Sequence, residues 1–207
     1  MAFRFHEASC VLAGTFNIYI IRPDWLGKVG LLPEASEVRF ESQMNQPGFR
    51  LKSPGLGSTW LVSPNKLVLQ TDKTEENCGH TVDRILEILP WTPLMALGCN
   101  FAFRGQSTDI QDWDVKSAFP SVANGFRLKQ RSWHIGIQED DQLFNLQLSE
   151  VEDHLEIRAN VHTELNERDI DFARETARQF MQLRAKSVSL IETIFQARFE
   201  NVVSNQC

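Results

Sequence analysis

Apolar residues crowd both alternating positions from Ala8 to Ile21, which predicts a long strand covered on both faces, with Gly14 marking a bulge or a close backbone approach. Pro23 suits the first turn of a short helix over 24–32, and Pro33 ends it. Four short strands follow at 37–41, 49–53, 59–63 and 66–71, separated by Pro/Gly/Asn turns at 45–48, 54–57 and 64–65. Val82, Ile85, Leu86 and Leu89 then recur at helical spacing until Pro90. A second pass repeats this order. It gives a strand over 94–104, a helix over 108–117, a loop over 120–125 and a three-strand meander over 126–137, 143–148 and 154–162. A long helix over about 167–202 closes the chain, with its apolar stripe running from Ile170 through Ala177, Phe180, Val188 and Ile191 to Val202.

The repetition reaches individual residues. Gly48-Phe49-Arg50-Leu51-Lys52 returns as Gly125-Phe126-Arg127-Leu128-Lys129, and each copy precedes a tryptophan, Trp60 and Trp133. Upstream stand Gly14 and Gly98 in apolar runs, then Asp24-Trp25 and Asp112-Trp113. This self-similarity predicts a duplicated unit that pairs Gly14 with Gly98 and Trp60 with Trp133. The fold class is therefore α+β, with two tandem β-α-β(3–4)-α repeats over residues 1–91 and 92–207. These would form one curved antiparallel sheet with helices on one face, integrated into a single domain. Across the whole chain, this element order resembles the duplicated fold of the TATA-box-binding protein and its relatives. The resemblance is one of order and carries no motif, and a shared fold transfers no DNA-binding role.

Composition narrows the classes. At 42% hydrophobic residues with fourteen Phe, the chain can build a core. It has no apolar run of membrane-crossing length and no secretory pattern at its start, so a cytoplasmic location is expected. Of the four cysteines, Cys10 and Cys99 lie in apolar runs, Cys78 in a polar stretch and Cys207 at the end, which suggests neither a disulfide framework nor a zinc site. The net charge of −6 concentrates in 138–171, where eleven acids face two arginines, a field that repels phosphate backbones.

Few residues suggest chemistry. Gly55 to Thr59 is a hairpin turn rather than a phosphate loop, because no Lys follows and no helix opens there. Cys78 with His80, and His6 with Cys10, lack the second pair a metal would require, and Asp109, Asp112 and Asp114 suit a helix start. No cofactor, metal or catalytic residue is expected. Alternation in the repeated strand sends Phe126 and Leu128 to one face and Arg127, Lys129, Arg131 and Trp133 to the other, where Arg50 and Lys52 would join them. Such a stripe could hold a phosphate backbone and stack a base. The long helix would span about 50 Å, more than the body of the domain, so that it breaks near 187–189 or projects Ile191, Ile194, Phe195 and Phe199 as an association surface. The leading expectation is a non-enzymatic soluble binding protein, a homodimer or a subunit of a larger assembly. The alternative is a nucleic-acid-binding module using the Arg/Lys face, and the third is an enzyme with a dispersed site.

Overall fold

The computed structural model describes residues 2–32, 38–42, 47–52, 57–106, 131–151, 154–165 and 170–200. The predicted helix over 108–117 and the repeated Phe126-Arg127-Leu128-Lys129 lie outside them. The described strands are β1 (Arg4–Gly14), β2 (Arg39–Ser42), β3 (Phe49–Lys52), β4 (Thr59–Ser63), β5 (Lys66–Thr71), β6 (Leu94–Gly105), β7 (Arg131–Glu139), β8 (Gln142–Val151) and β9 (His154–Glu164). They form one antiparallel sheet in the order β2-β3-β4-β5-β1-β6-β9-β8-β7. Four helices are described, α1 (Pro23–Lys28), α2 (Cys78–Ile88), α3 (Ile170–Arg178) and α4 (Phe180–Phe195). None is long and apolar enough to cross a membrane.

Period-two alternation sets the two faces of the sheet. Cys10 and Leu12 of β1, Leu67 and Leu69 of β5, Leu97, Phe101 and Phe103 of β6, and Ile157 and Val161 of β9 are buried on one face. Helices pack on that side, where the rings of Phe101 and Phe180 lie 5.1 Å apart and Lys186 sits over the Phe144 ring. Buried Asp83 of α2 receives Arg174 Nε at 2.7 Å and Arg178 Nε at 3.2 Å, which ties α2 to α3. Burial alone would raise the Asp83 pKa, but the hydrogen bonds and charges of the two arginines outweigh it and hold it below the usual carboxylate range.

Several boundaries differ from the sequence expectation for local reasons. The first strand stops at Gly14 instead of Ile21, because the chain there leaves the sheet. Thr15 N–H donates to Pro93 O at 2.9 Å and Phe16 N–H to Pro64 O at 2.8 Å. A Cβ at Gly14 would lie 2.4 Å from Pro93 O, so the expected close approach is present. α1 ends at Lys28, and the Leu31 and Leu32 amides both turn back to Leu26 O. Cys78 begins α2 and is buried, with Asn77 Oδ1 capping the His80 amide at 3.1 Å.

The long C-terminal helix breaks at Gln179, not at 187–189, and neither projects nor remains continuous. Gly79 abuts that break, where an added Cβ would lie 2.0 Å from Ala177 O and 2.4 Å from Phe180 Cβ. After α4 the chain returns to the sheet, with Phe3 and Phe199 forming a parallel bridge.

The residue pairs offered for the duplication do not correspond. Gly14 shares the helix-covered face with Leu12, whereas Gly98 is level with Val11 on the opposite face. Trp60 lies on β4, two strands from the central β1, and Trp133 lies on β7, three strands from the central β6. Their similar sequence surroundings arise from a shared Gly-Phe-Arg-Leu-Lys text that sits at different distances from the two tryptophans.

Candidate nucleic-acid and ligand interface

The face opposite the helices is mixed, with Leu61, Val68 and Val11 part-exposed in one row, and the strand registers align its polar side chains into another. One row crosses the whole sheet. Arg39 pairs with Lys52, Lys52 with Thr59, Thr59 with Gln70, Gln70 with Ser9, Ser9 with Asn100, Asn100 with Asn160, Asn160 with Asn145, and Asn145 with Gly136. Nine strands at about 4.8 Å spacing make this row roughly 38 Å long.

Its middle is a directional ladder. Asn145 Nδ2 donates to Asn160 Oδ1 at 3.4 Å, Asn160 Nδ2 to Asn100 Oδ1 at 2.7 Å, and Asn100 Nδ2 to Ser9 Oγ at 3.1 Å. A primary amide offers two N–H donors and two lone pairs, so Asn100 and Asn160 each retain a donor and an acceptor. Two cavities open on this face and share Glu7. One, of about 420 Å3, is lined by Ser9, Asn100, His134, Gln147, Arg158 and Asn160 among others. The other, of about 730 Å3, is lined by His6, Arg39, Arg50, Lys52, Thr59, Gln70 and Lys73, with the acids Glu7 and Asp72. Gln70 Nε2 holds Glu7 Oε2 at 2.5 Å.

Beside the row lies Glu156, only 5% exposed, which accepts from Arg104 Nε at 3.1 Å and Arg158 Nε at 2.5 Å. Burial would raise the Glu156 pKa, yet the two guanidinium groups more than offset that and hold it below the usual range. Among the described residues, Arg104 and Arg158 of β6 and β9 are thus already partnered.

The sequence-predicted residues divide. Arg50 and Lys52 do lie on the open face of β3, while Phe49 and Leu51 are buried behind them. Arg127 and Lys129 lie outside the described residues. Trp133 does not join the stripe. It pairs with Leu148, and Ile135 and Ile137 of the same parity pair with buried Leu146 and Phe144, so Trp133 takes the helix-covered side. Arg131 holds a register position of that same parity, opposite Glu150. The hydrophobic positions of β7 therefore decide its orientation against the expected stripe. In the helix, Ile191 is fully buried, and Ile194, Phe195 and Phe199 pack against the core. Phe199 lies 5.8 Å from Phe3 and 5.1 Å from Phe103 by ring centroids.

Arg39, Ser9, Asn100, Asn145 and Asn160 escaped sequence reasoning. Only the strand register places them in line. The thiols carry no site chemistry on this face. Cys10 and Cys99 face each other inside the core, where their mutual hydrogen bond, then burial, push the Cys10 thiol well above its ordinary pKa. Among the described residues no group of three or more His, Cys, Asp or Glu could hold a metal ion. No protein-family model matches the chain, and no curated protein sequence is significantly similar to it.

Proposed function

We propose that this is a non-enzymatic binding protein whose ligand lies along the polar row on the open face of the sheet. The row itself carries the proposal. Hydrogen-bonding side chains aligned on eight adjacent strands, with Gly136 on the ninth, supply directional contacts that a merely solvated face does not require. Of the two surfaces the sequence offered for interaction, the sheet and the helix, the helix spends its apolar residues on its own core. A strand order arranged as β5-β4-β3-β2 on one side of the β1/β6 pair and β9-β8-β7 on the other supports a duplicated architecture like that of the TATA-box-binding protein. The duplication would reside in topology, since the residue matches do not correspond.

A thermal-shift screen of the full chain against nucleotides, sugar phosphates, peptides and single-stranded oligonucleotides tests the reading. Ligands should raise the melting temperature of the natural chain and fail to raise that of an Asn100→Ala, Asn160→Ala double variant. Equal stabilisation of both would place the ligand elsewhere. Oligonucleotide binding that weakens steeply with salt would favour the nucleic-acid alternative.

Association with a second copy is the second reading, favoured by one end of the molecule. Trp91 is 93% exposed, and with Ile20, Phe16 and Leu89 it lines an apolar cavity of about 410 Å3. Sedimentation showing a monomer at micromolar concentration, unchanged by Trp91→Ser, would end that reading.

A further inference from the structure

The polar row is graded in charge, and the gradient identifies the ligand's chemistry. Arg39 of β2 stands directly opposite Lys52 of β3, and both are exposed. Side chains paired in this way have Cβ atoms about 5 Å apart, and like charges so placed destabilise a sheet. Glu41 approaches Arg50, at 3.9 Å. Among the described residues neither Arg39 nor Lys52 makes an ion pair. All three cations line the 730 Å3 cavity, within the range of small-molecule sites.

From this we infer that the cavity receives a phosphoryl group, most favourably a diphosphate, borne by the ligand that continues along the row. The inference rests on the open-face reading above. Two guanidinium forks and an ammonium suit a multiply charged oxyanion, since arginine presents paired donors and lysine a point charge. The next strands offer Thr59 and Gln70, followed by the amide ladder from Asn100, which hydrogen-bond without charge. On β6 and β9, beside the ladder, Arg104 and Arg158 are both engaged by Glu156. Among the described residues, a uniformly charged polymer would find unengaged Arg and Lys side chains concentrated under the β2–β3 end of the row. A small ligand with a localised anionic head and a neutral, polar body matches the gradient along its length.

Calorimetric titration of the full chain with pyrophosphate, and separately with a nucleoside diphosphate, tests this. Both should bind, and an Arg39→Ser, Lys52→Ser double variant should weaken both about tenfold or more, as loss of charge-assisted hydrogen bonds implies. Gln70→Ala should weaken the nucleoside diphosphate and leave pyrophosphate within about twofold, because only the former extends the two strands from Lys52 to Gln70 in the same cavity. Binding of pyrophosphate alone would identify inorganic phosphates as the source of the anion and retain the site. Because both substituted side chains are exposed on short strands and repel each other, the double variant should melt no lower than the natural chain. That comparison separates a lost site from a lost fold.

Absence of pyrophosphate binding, or binding unchanged in the double variant, would overturn the anion site. The open-face reading would then stand or fall on the Asn100, Asn160 screen alone. An oligonucleotide that outcompetes both probes, with a salt slope of about five or more, would replace the localised head with a polymer.

Discussion

Glu156 and Asp83 are carboxylates held buried by pairs of arginines, and both are placed below the usual carboxylate pKa. A carboxylate whose folded pKa is depressed stabilises the fold above its unfolded pKa, and that contribution disappears as pH falls through the folded value. Stability should therefore hold through neutral pH and decline below the ordinary carboxylate range, between about pH 4 and the lower folded values. Replacing Glu156 by Gln leaves Arg104 and Arg158 without their shared anion. It should cost about 1–3 kcal/mol at pH 7 in urea unfolding and flatten the acid decline. An acid profile identical to that of the natural chain would show that the triad contributes nothing. At this scale the sequence was partly legible. Glu156 and Arg158 entered only as charges of the acid-rich 138–171 stretch, and Arg104 and Glu156, 52 positions apart, meet only through the β6–β9 register.

The elements were more legible than the contacts between them. Turn chemistry at Pro64-Asn65, the Val82-to-Leu89 helical spacing and the expected strands over 143–148 and 154–162 all gave elements close to those observed. The break in the C-terminal helix was misplaced because its cause lies in another element. Gly79, at the start of α2, needs the space beside Ala177 and Phe180, and the helix is interrupted there. Trp133 was misassigned for a comparable reason, because the buried partners of Ile135 and Ile137 set its face. Gly79→Ala should consequently force backbone apart at the α2–α3–α4 junction. The expected destabilisation is about 1–3 kcal/mol, typical of overpacking, read from the urea midpoint at unchanged slope. The same substitution at Gly98, whose added Cβ would meet nothing nearer than 3.7 Å, should cost clearly less. Equal effects at the two glycines would mean that the junction relaxes freely.

At the scale of the whole molecule, the two parts of the chain share one sheet through β1 and β6. Their ladder runs ten residue pairs from Arg4↔Arg104 to Gly14↔Leu94, placing Cys10 against Cys99 in the interior. On the helical side, α2 from the first part is tied to α3 from the second through Asp83, Arg174 and Arg178. Both connections would be severed in a chain of residues 1–91. β1 would become an edge strand, with Ala8, Cys10 and Leu12 on a face stripped of α3 and α4. An exposed, apolar edge of that length promotes pairing with other chains. Below a hundred residues the remaining core supplies little surplus stability. The full protein should therefore unfold in one cooperative transition, with circular dichroism and tryptophan fluorescence coincident. The 1–91 fragment should be unfolded or aggregated when expressed alone, and co-expression with residues 92–207 should restore a soluble pair. A dispersed, concentration-independent NMR spectrum from the isolated fragment would show instead that the halves are separate domains and that the central ladder is only their interface.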